Sequence, residues 1–249
     1  MRLALLGYGK MGREVEGVAI AGGHEVVAVL DDAAGATRGS LGDAEVAIEF
    51  TTPASAVANI HRAAEAGLDL VVGTTGWYDR MDEARSLVEK AGTGLVWAPN
   101  FSMGVQLFLR LAAEAGRLVD ALEEYDVAVH ETHHRHKVDH PSGTAIRLAE
   151  TLLAQVGRKA RWAETPAEGA PDPSTLCVSS SRVGEVPGTH RISIEGPDDS
   201  IELRHAARGR RGFARGAVLA ATWIRGRPGI YGIDDMLAQR FGETAGRED

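Results

Sequence analysis

The chain has 249 residues, 44% of them hydrophobic, enough for one large core or two modest ones, and its length favours two domains. Against 27 Lys and Arg stand 35 Asp and Glu, a formal charge of −8, which argues against a phosphate-backbone binder, so no nucleic-acid partner is expected. Cys177 is the single cysteine, which excludes an intrachain disulfide and a thiolate zinc site.

The opening MRLALLGYGK is too short an apolar run for a signal sequence. No stretch is apolar over the roughly 18 residues that a membrane helix needs. A soluble, cytoplasmic protein with no membrane partner is expected.

The first hundred residues alternate short apolar runs with amphipathic segments, the rhythm of βαβ units on a parallel sheet. Strands are predicted at 2–6, 25–30, 45–50, 69–73 and 95–98. Helices are predicted near 11–21, 54–66 and 79–91, the last with Asp79 as N-cap.

Directly after the first strand stands the G-x-G-x-x-G run Gly7, Tyr8, Gly9, Lys10, Met11, Gly12. In it the first glycine allows a tight turn, the second lets backbone approach a pyrophosphate, and the third lets helix pack on strand. The helix end then offers free N–H groups and a positive dipole to phosphates.

At the end of the second strand lie Asp31 and Asp32, placed to accept hydrogen bonds from an adenosine ribose. Their charge opposes a 2′-phosphate, so NADH is the preferred cofactor and NADPH the alternative, with Arg38 the nearby residue favouring the latter. Two further loops fall after strand ends on the same sheet edge. One carries Gly73, Thr74 and Thr75; the other carries Ala98, Pro99, Asn100 and Phe101. Both are expected to face the nicotinamide half of a dinucleotide.

Beyond APNFSMG the pattern changes to a helix at 105–119, a strand at 123–131 and the stretch HETHHRHKVDHPSGT. A helix at 144–156 follows, then a mobile loop over 164–175 and strands at 176–182, 190–195 and 201–205. This half reads as α+β with an open sheet. From Phe213 onward the tail reads as helical and apolar on one face.

The five histidines 130, 133, 134, 136 and 140 have spacings that suit a metal, with Glu131 and Asp139 as outer carboxylates. Arg135 and Lys137 would repel a dication, and no metal is expected. The same cations and the helix start at Ser142, Gly143 and Thr144 suit an anionic substrate, with imidazole as proton donor. His133, His134 and Lys137 are read together as functional; His130, His136 and His140 are read as solvated loop residues. A dinucleotide sensor without turnover and another two-domain dehydrogenase are the competing readings. Trp77, Trp97, Trp162 and Trp223 are read as packing residues.

GYGKMG, EFTTP, VVGTTGW, APNFSMGV, HHRHKVDHPSGTA and GIYGIDDML together resemble the 4-hydroxy-tetrahydrodipicolinate (dihydrodipicolinate) reductase family, over nearly the whole chain. The resemblance implies an α/β fold: a Rossmann domain at 1–101 and 213–249, and an α+β substrate-binding and oligomerisation domain at 102–212 with an open mixed sheet. It implies NAD(P)H-dependent reduction of a cyclic imine dicarboxylate with loss of water, in diaminopimelate and lysine biosynthesis, by a homotetramer whose domains close over the reactants. It makes His133 the proton donor and Lys137 a second acid and anchor. His134, Gly143 and Thr144 then bind the substrate carboxylates.

Overall fold

The structure, a computed structural model, describes residues 1–31, 39–165 and 169–242; Asp32 and Arg38 lie outside these described residues. The chain divides into two compact units, Met1–Ser102 joined by the segment from Arg210 onward, and Met103–Gly209.

The first unit holds a parallel sheet of β1 (Arg2–Leu6), β2 (Glu25–Leu30), β3 (Val46–Glu49), β4 (Asp69–Val72), β5 (Gly94–Trp97) and β11 (Gly229–Gly232). Their spatial order is β11-β5-β4-β3-β1-β2. Leu3, Leu5, Leu6, Ile48, Val71, Val72 and Leu95 are all but completely buried, as strands covered on both faces require.

Three helices cross between strands: α1 (Lys10–Ala21), α2 (Pro53–Glu65) and α3 (Met81–Ala91). The strand order reverses between β1 and β3, so the loops after those strands diverge and leave a crevice at the carboxyl edge.

Two expectations fail in this unit. The third helix does not begin at Asp79: Tyr78–Arg80 form a 3-10 turn closed by Arg80 N–H on the Trp77 carbonyl at 2.9 Å, and α3 starts at Met81 without a side-chain cap. The buried Trp77, whose ring N–H donates to the Thr74 carbonyl at 2.8 Å, fixes that turn.

The tail is not helical throughout. After α6 (Arg211–Ile224), Pro228 breaks the helix pattern and Gly229–Gly232 form β11 on the edge of β5 before α7 (Ile233–Phe241). Asp69 anchors this return by accepting from Gly94 N at 2.7 Å and Gly226 N at 2.6 Å.

The second unit is α+β, with α4 (Met103–Asp120), β6 (Asp126–His133), α5 (Gly143–Leu153), β7 (Arg161–Glu164), β8 (Thr175–Arg182), β9 (Thr189–Glu195) and β10 (Ser200–Ala206). The sheet order is β10-β9-β6-β8-β7, with β6, β7 and β8 parallel and β9 antiparallel to its neighbours. β7 falls where no strand was predicted; four residues at a sheet edge leave no periodic signal.

Leu148, Leu152, Leu176, Val178 and Ile192 are fully buried between the helices and one face of this sheet. Each such side chain contributes about 1.5–3 kcal/mol relative to exposure. Alternation along β6 puts Val127, Val129, Glu131 and His133 on that same inner face. Two polar groups therefore continue a row begun by two valines.

Candidate active site

In the first unit the glycine loop is shaped by close backbone approach. Gly7 has φ +93°, and a Cβ there would lie 2.2 Å from the Phe50 carbonyl oxygen; a Cβ on Gly12 would lie 2.3 Å from the Gly7 oxygen. Around a Cβ on Gly9, by contrast, nothing lies within 4 Å. Gly9 is also the N-cap of α1 and supplies no side-chain cap, so the first N–H groups of the helix gain no capping side chain from it.

A cleft of about 520 Å³ runs over this loop, bounded by Gly7 and Gly9, by Leu30 and Asp31, and by Phe50, Thr51, Thr52, Ser55, Asn59 and Arg62. A second, of about 460 Å³, shares Gly9, Phe50 and Thr51 and extends to Lys10, Met11, Gly73, Thr74 and Thr75. The first three loops named from sequence therefore meet at one crevice.

One Asp31 oxygen accepts from Tyr8 N at 2.6 Å, which holds its carboxylate at the cleft wall. The Tyr8 side chain is occupied elsewhere, its hydroxyl on Glu16 and its ring under the Arg13 guanidinium at 4.7 Å.

The loop after β5 behaves differently. Ala98 and Phe101 are buried and line neither cleft; Phe101 packs edge-on against Phe50 with ring centroids 6.5 Å apart. Asn100 turns its carbonyl oxygen onto Ser102 N at 2.8 Å, and Pro99 is exposed.

Beneath the crevice, Glu49 is fully buried and accepts from the Thr51 hydroxyl and from Asn59. Burial pushes its carboxyl up from the ordinary value, against the pull of those hydrogen bonds. Thr51 N donates to the Thr74 hydroxyl at 2.7 Å, which ties the loops after β3 and β4 together. Phe50, Thr51, Asn59 and Arg62 were not named as lining residues; the signals available were the EFTTP motif, which holds Phe50 and Thr51, and the shared helical face of 55, 59 and 62.

In the second unit His133 ends β6 and is buried, and its Nδ1 bonds the fully buried Glu131. Glu131 also accepts from Arg182 Nη2 at 2.7 Å and from Ser142 N at 3.2 Å. Burial raises its carboxyl, but the hydrogen bonds of His133 and Arg182 outweigh that and hold it at about 2. Glu131 is thus an anion that accepts only, so the proton on His133 Nδ1 belongs to the histidine.

Lys137 lies in the following loop, its ammonium on both oxygens of Asp139 at 2.8 and 2.9 Å. His134 is half-buried, with a buried Nδ1 that has no partner among the described residues. Gly143, exposed, and Thr144, half-buried, open α5.

Ser142 is committed inward: its hydroxyl oxygen accepts from Ala145 N at 3.3 Å and meets His190 Nε2 at 3.0 Å. The anion site expected at the helix start is thereby narrowed to the Gly143 and Thr144 side. His190, from β9, sets its ring 5.2 Å from that of His133. Burial, with the neighbouring His133 next in size, lowers His190 to about 4.

The remaining histidines divide. His136 and His140 are exposed, opposite Glu185 at 3.4 Å and Glu164 at 3.5 Å. His130 is not a solvated loop residue; it falls within the strand predicted at 123–131, mid-strand on the outer sheet face, with its Nδ1 bonded to the Ser179 hydroxyl at 2.8 Å. Among the described residues no group of three or more His, Cys, Asp or Glu is placed to hold a metal ion. No helix among them is long and apolar enough to cross a membrane.

Comparison with known proteins is consistent over both units. The family model described as dihydrodipicolinate reductase, N-terminus, matches residues 1–101, and the one described as its C-terminus matches 104–237. The 4-hydroxy-tetrahydrodipicolinate reductase of Christiangramia forsetii is 38% identical over 243 residues, 97% of this chain and 99% of that protein. The protein of the same name from Neisseria gonorrhoeae is 35% identical over 85% of this chain and 77% of its own. A solved dihydrodipicolinate reductase from Paenisporosarcina sp. TG-14, with dipicolinate bound, shares the fold with a TM-score of 0.76 at 24% identity, covering 95% of this chain and 99% of that one.

Proposed function

This chain belongs to the dihydrodipicolinate reductase family, and from that premise we propose that it reduces 4-hydroxy-tetrahydrodipicolinate to tetrahydrodipicolinate with loss of water, in the diaminopimelate and lysine pathway. The observation that carries the reading is one chain holding both an open glycine-loop crevice walled by Asp31 and an acid cluster in which buried His133 and Glu131 are followed by the partly exposed Lys137.

The first unit, about 1–101 with 213–249, holds the nicotinamide dinucleotide. Gly7 to Gly12 and the α1 N-terminus take the pyrophosphate, Asp31 the adenosine ribose, and Gly73, Thr74 and Thr75 the nicotinamide side, with the Ala98 to Phe101 loop at the same edge. The crevice fits such a group because Gly9 leaves space where phosphate would lie. The bound dinucleotide supplies hydride to the substrate ring. Asp31 favours NADH, with NADPH accepted less well.

The second unit, about 102–212, holds the cyclic dicarboxylate. His134, Gly143 and Thr144 bind its carboxylates, and Lys137 leaves Asp139 to anchor one of them. His133 gives a proton to the carbon beside the one that accepts hydride. Hydride transfer needs the reacting atoms within about 3–3.5 Å, so turnover brings the two ligands together. The enzyme works in the cytoplasm as a homotetramer assembled through the second sheet.

Purified protein should oxidise NADH only when freshly made condensation product of pyruvate and aspartate semialdehyde is present. Tight NADH binding without such oxidation would instead favour a dinucleotide sensor.

A further inference from the structure

We propose that Glu131 is a positioning residue for proton transfer: its buried carboxylate fixes the His133 ring with a proton on Nδ1 and presents Nε2 as the nitrogen that delivers the transferred proton. This inference rests on the reading of His133 as proton donor.

Four observations support it. Glu131 lies two residues before His133 on β6, so both side chains project to the same face. The carboxylate is fully buried, and its hydrogen bonds run to named donors: His133 Nδ1, Arg182 at 2.7 Å and Ser142 N at 3.2 Å. A buried carboxylate without a cation would take up a proton and lose its hold on the imidazole; Arg182, the register neighbour of His133 on β8, prevents that. Finally, Gly188 faces Nε2, where a Cβ would come within 2.8 Å. That position is kept bare beside the one ring nitrogen left free.

Arg182 extends the arrangement to the next loop. Its Nε donates to the Lys137 carbonyl at 3.3 Å and its Nη2 to the Asp139 carbonyl at 2.6 Å. One guanidinium therefore holds both the carboxylate that orients His133 and the backbone that carries Lys137.

The charged and titratable groups around His133 are Glu131 on its own strand, Arg182 on that carboxylate from β8 and His190 from β9, with His205 of β10 and Lys137 of the following loop acting in turn on His190. His190 is kept neutral at ordinary pH by burial, so it adds no opposing charge to an imidazolium. When the Nε2 proton passes to substrate carbon, the Nδ1 proton stays on the ring opposite Glu131, and solvent restores the proton on Nε2. The ring has no reason to turn over between cycles.

Glu131→Gln tests this, since the amide keeps the volume and removes the charge. NADH affinity and the inhibition constant for pyridine-2,6-dicarboxylate should stay within about threefold, while kcat falls about 10²- to 10⁴-fold. The basic limb of the kcat profile should move to lower pH, and Glu131→Asp should restore part of the rate. A lowered melting temperature with an unmoved pH profile would reduce Glu131 to a structural residue and overturn the proposal.

The wild-type protein supplies a test that needs neither variant nor turnover. With ¹⁵N-labelled histidine, neutral His133 should resonate as the Nδ1–H tautomer, and a predominant Nε2–H tautomer would contradict the assignment. Failure of substrate-dependent NADH oxidation would sink the proposed reaction and leave this measurement standing.

Discussion

The two sites proposed above are built by opposite means. The nucleotide crevice is made of what is missing: no side chain at Gly7, Gly9 or Gly12, no cap on α1, and one carboxylate at the wall. The acid cluster is made of side chains that hold one another, with Glu131, His133, Arg182, Ser142 and His190 joined by hydrogen bonds or ring contact. A site of the first kind is sensitive above all to an added methyl group. One of the second kind is sensitive above all to a change of charge.

That contrast is open to attack at several positions. Lys137→Ala removes a cation from the second site without touching the first. It should lower kcat/KM by about 10²-fold or more while NADH affinity, read by fluorescence titration, stays unchanged.

The protonation side is tested by His190, which is neutral in the fold and lowered from 6.5 to about 4. The unfolded chain binds this proton more readily than the folded one, so stability is complete above about 6.5 and falls as pH drops towards 4. Roughly 3 kcal/mol is at stake in that window. His190→Gln should flatten the fall in melting temperature across it, and an unchanged slope would assign the pH dependence to other groups. Glu131 acts in a lower window: its depressed carboxyl withdraws stability only as pH falls from about 4.5 towards 2.

Steric changes should do the reverse. Gly7→Ala places a methyl group against the Phe50 carbonyl at a residue with φ +93°. It should weaken NADH binding about 10- to 100-fold and lower the melting temperature, while pyridine-2,6-dicarboxylate binding is retained. Gly9→Ala has room for its methyl group in the free protein, so the melting temperature should hold and NADH affinity fall by about tenfold or less. Equal effects of the two substitutions on stability would refute the distinction between a packed and an open glycine.

The same contrast explains how far each region could be read in advance. The glycine loop, β1, β2 and Asp31 were legible because strand, turn and helix start are adjacent in sequence and each glycine has a local steric reason. β7 and β11 were not, since a four-residue edge strand owes its pairing to tertiary context rather than to a pattern of its own. The start of α3 was misplaced because Asp79 looked like a cap, whereas the burial of Trp77 decides the turn.

In the acid cluster, charge and spacing drew attention to His133, His134 and Lys137 together, and the family resemblance named His133 and Lys137 as the acids. Their supports could not be read in this way, because Arg182 and His190 arrive from strands about 50 residues further on. A faint signal did exist in DVAVHETH, where the inward row Val127, Val129 continues as Glu131, His133. A carboxylate in a row of valines asks for a buried partner, and only the fold names it.

The account stands most directly on one single-turnover experiment: NADH-loaded protein mixed with freshly made 4-hydroxy-tetrahydrodipicolinate, wild type beside His133→Gln. It predicts rapid oxidation in the wild type and oxidation slowed by about 10²- to 10⁴-fold in the variant, with NADH bound equally by both. Equal rates in the two proteins, or no oxidation by the wild type, would contradict it.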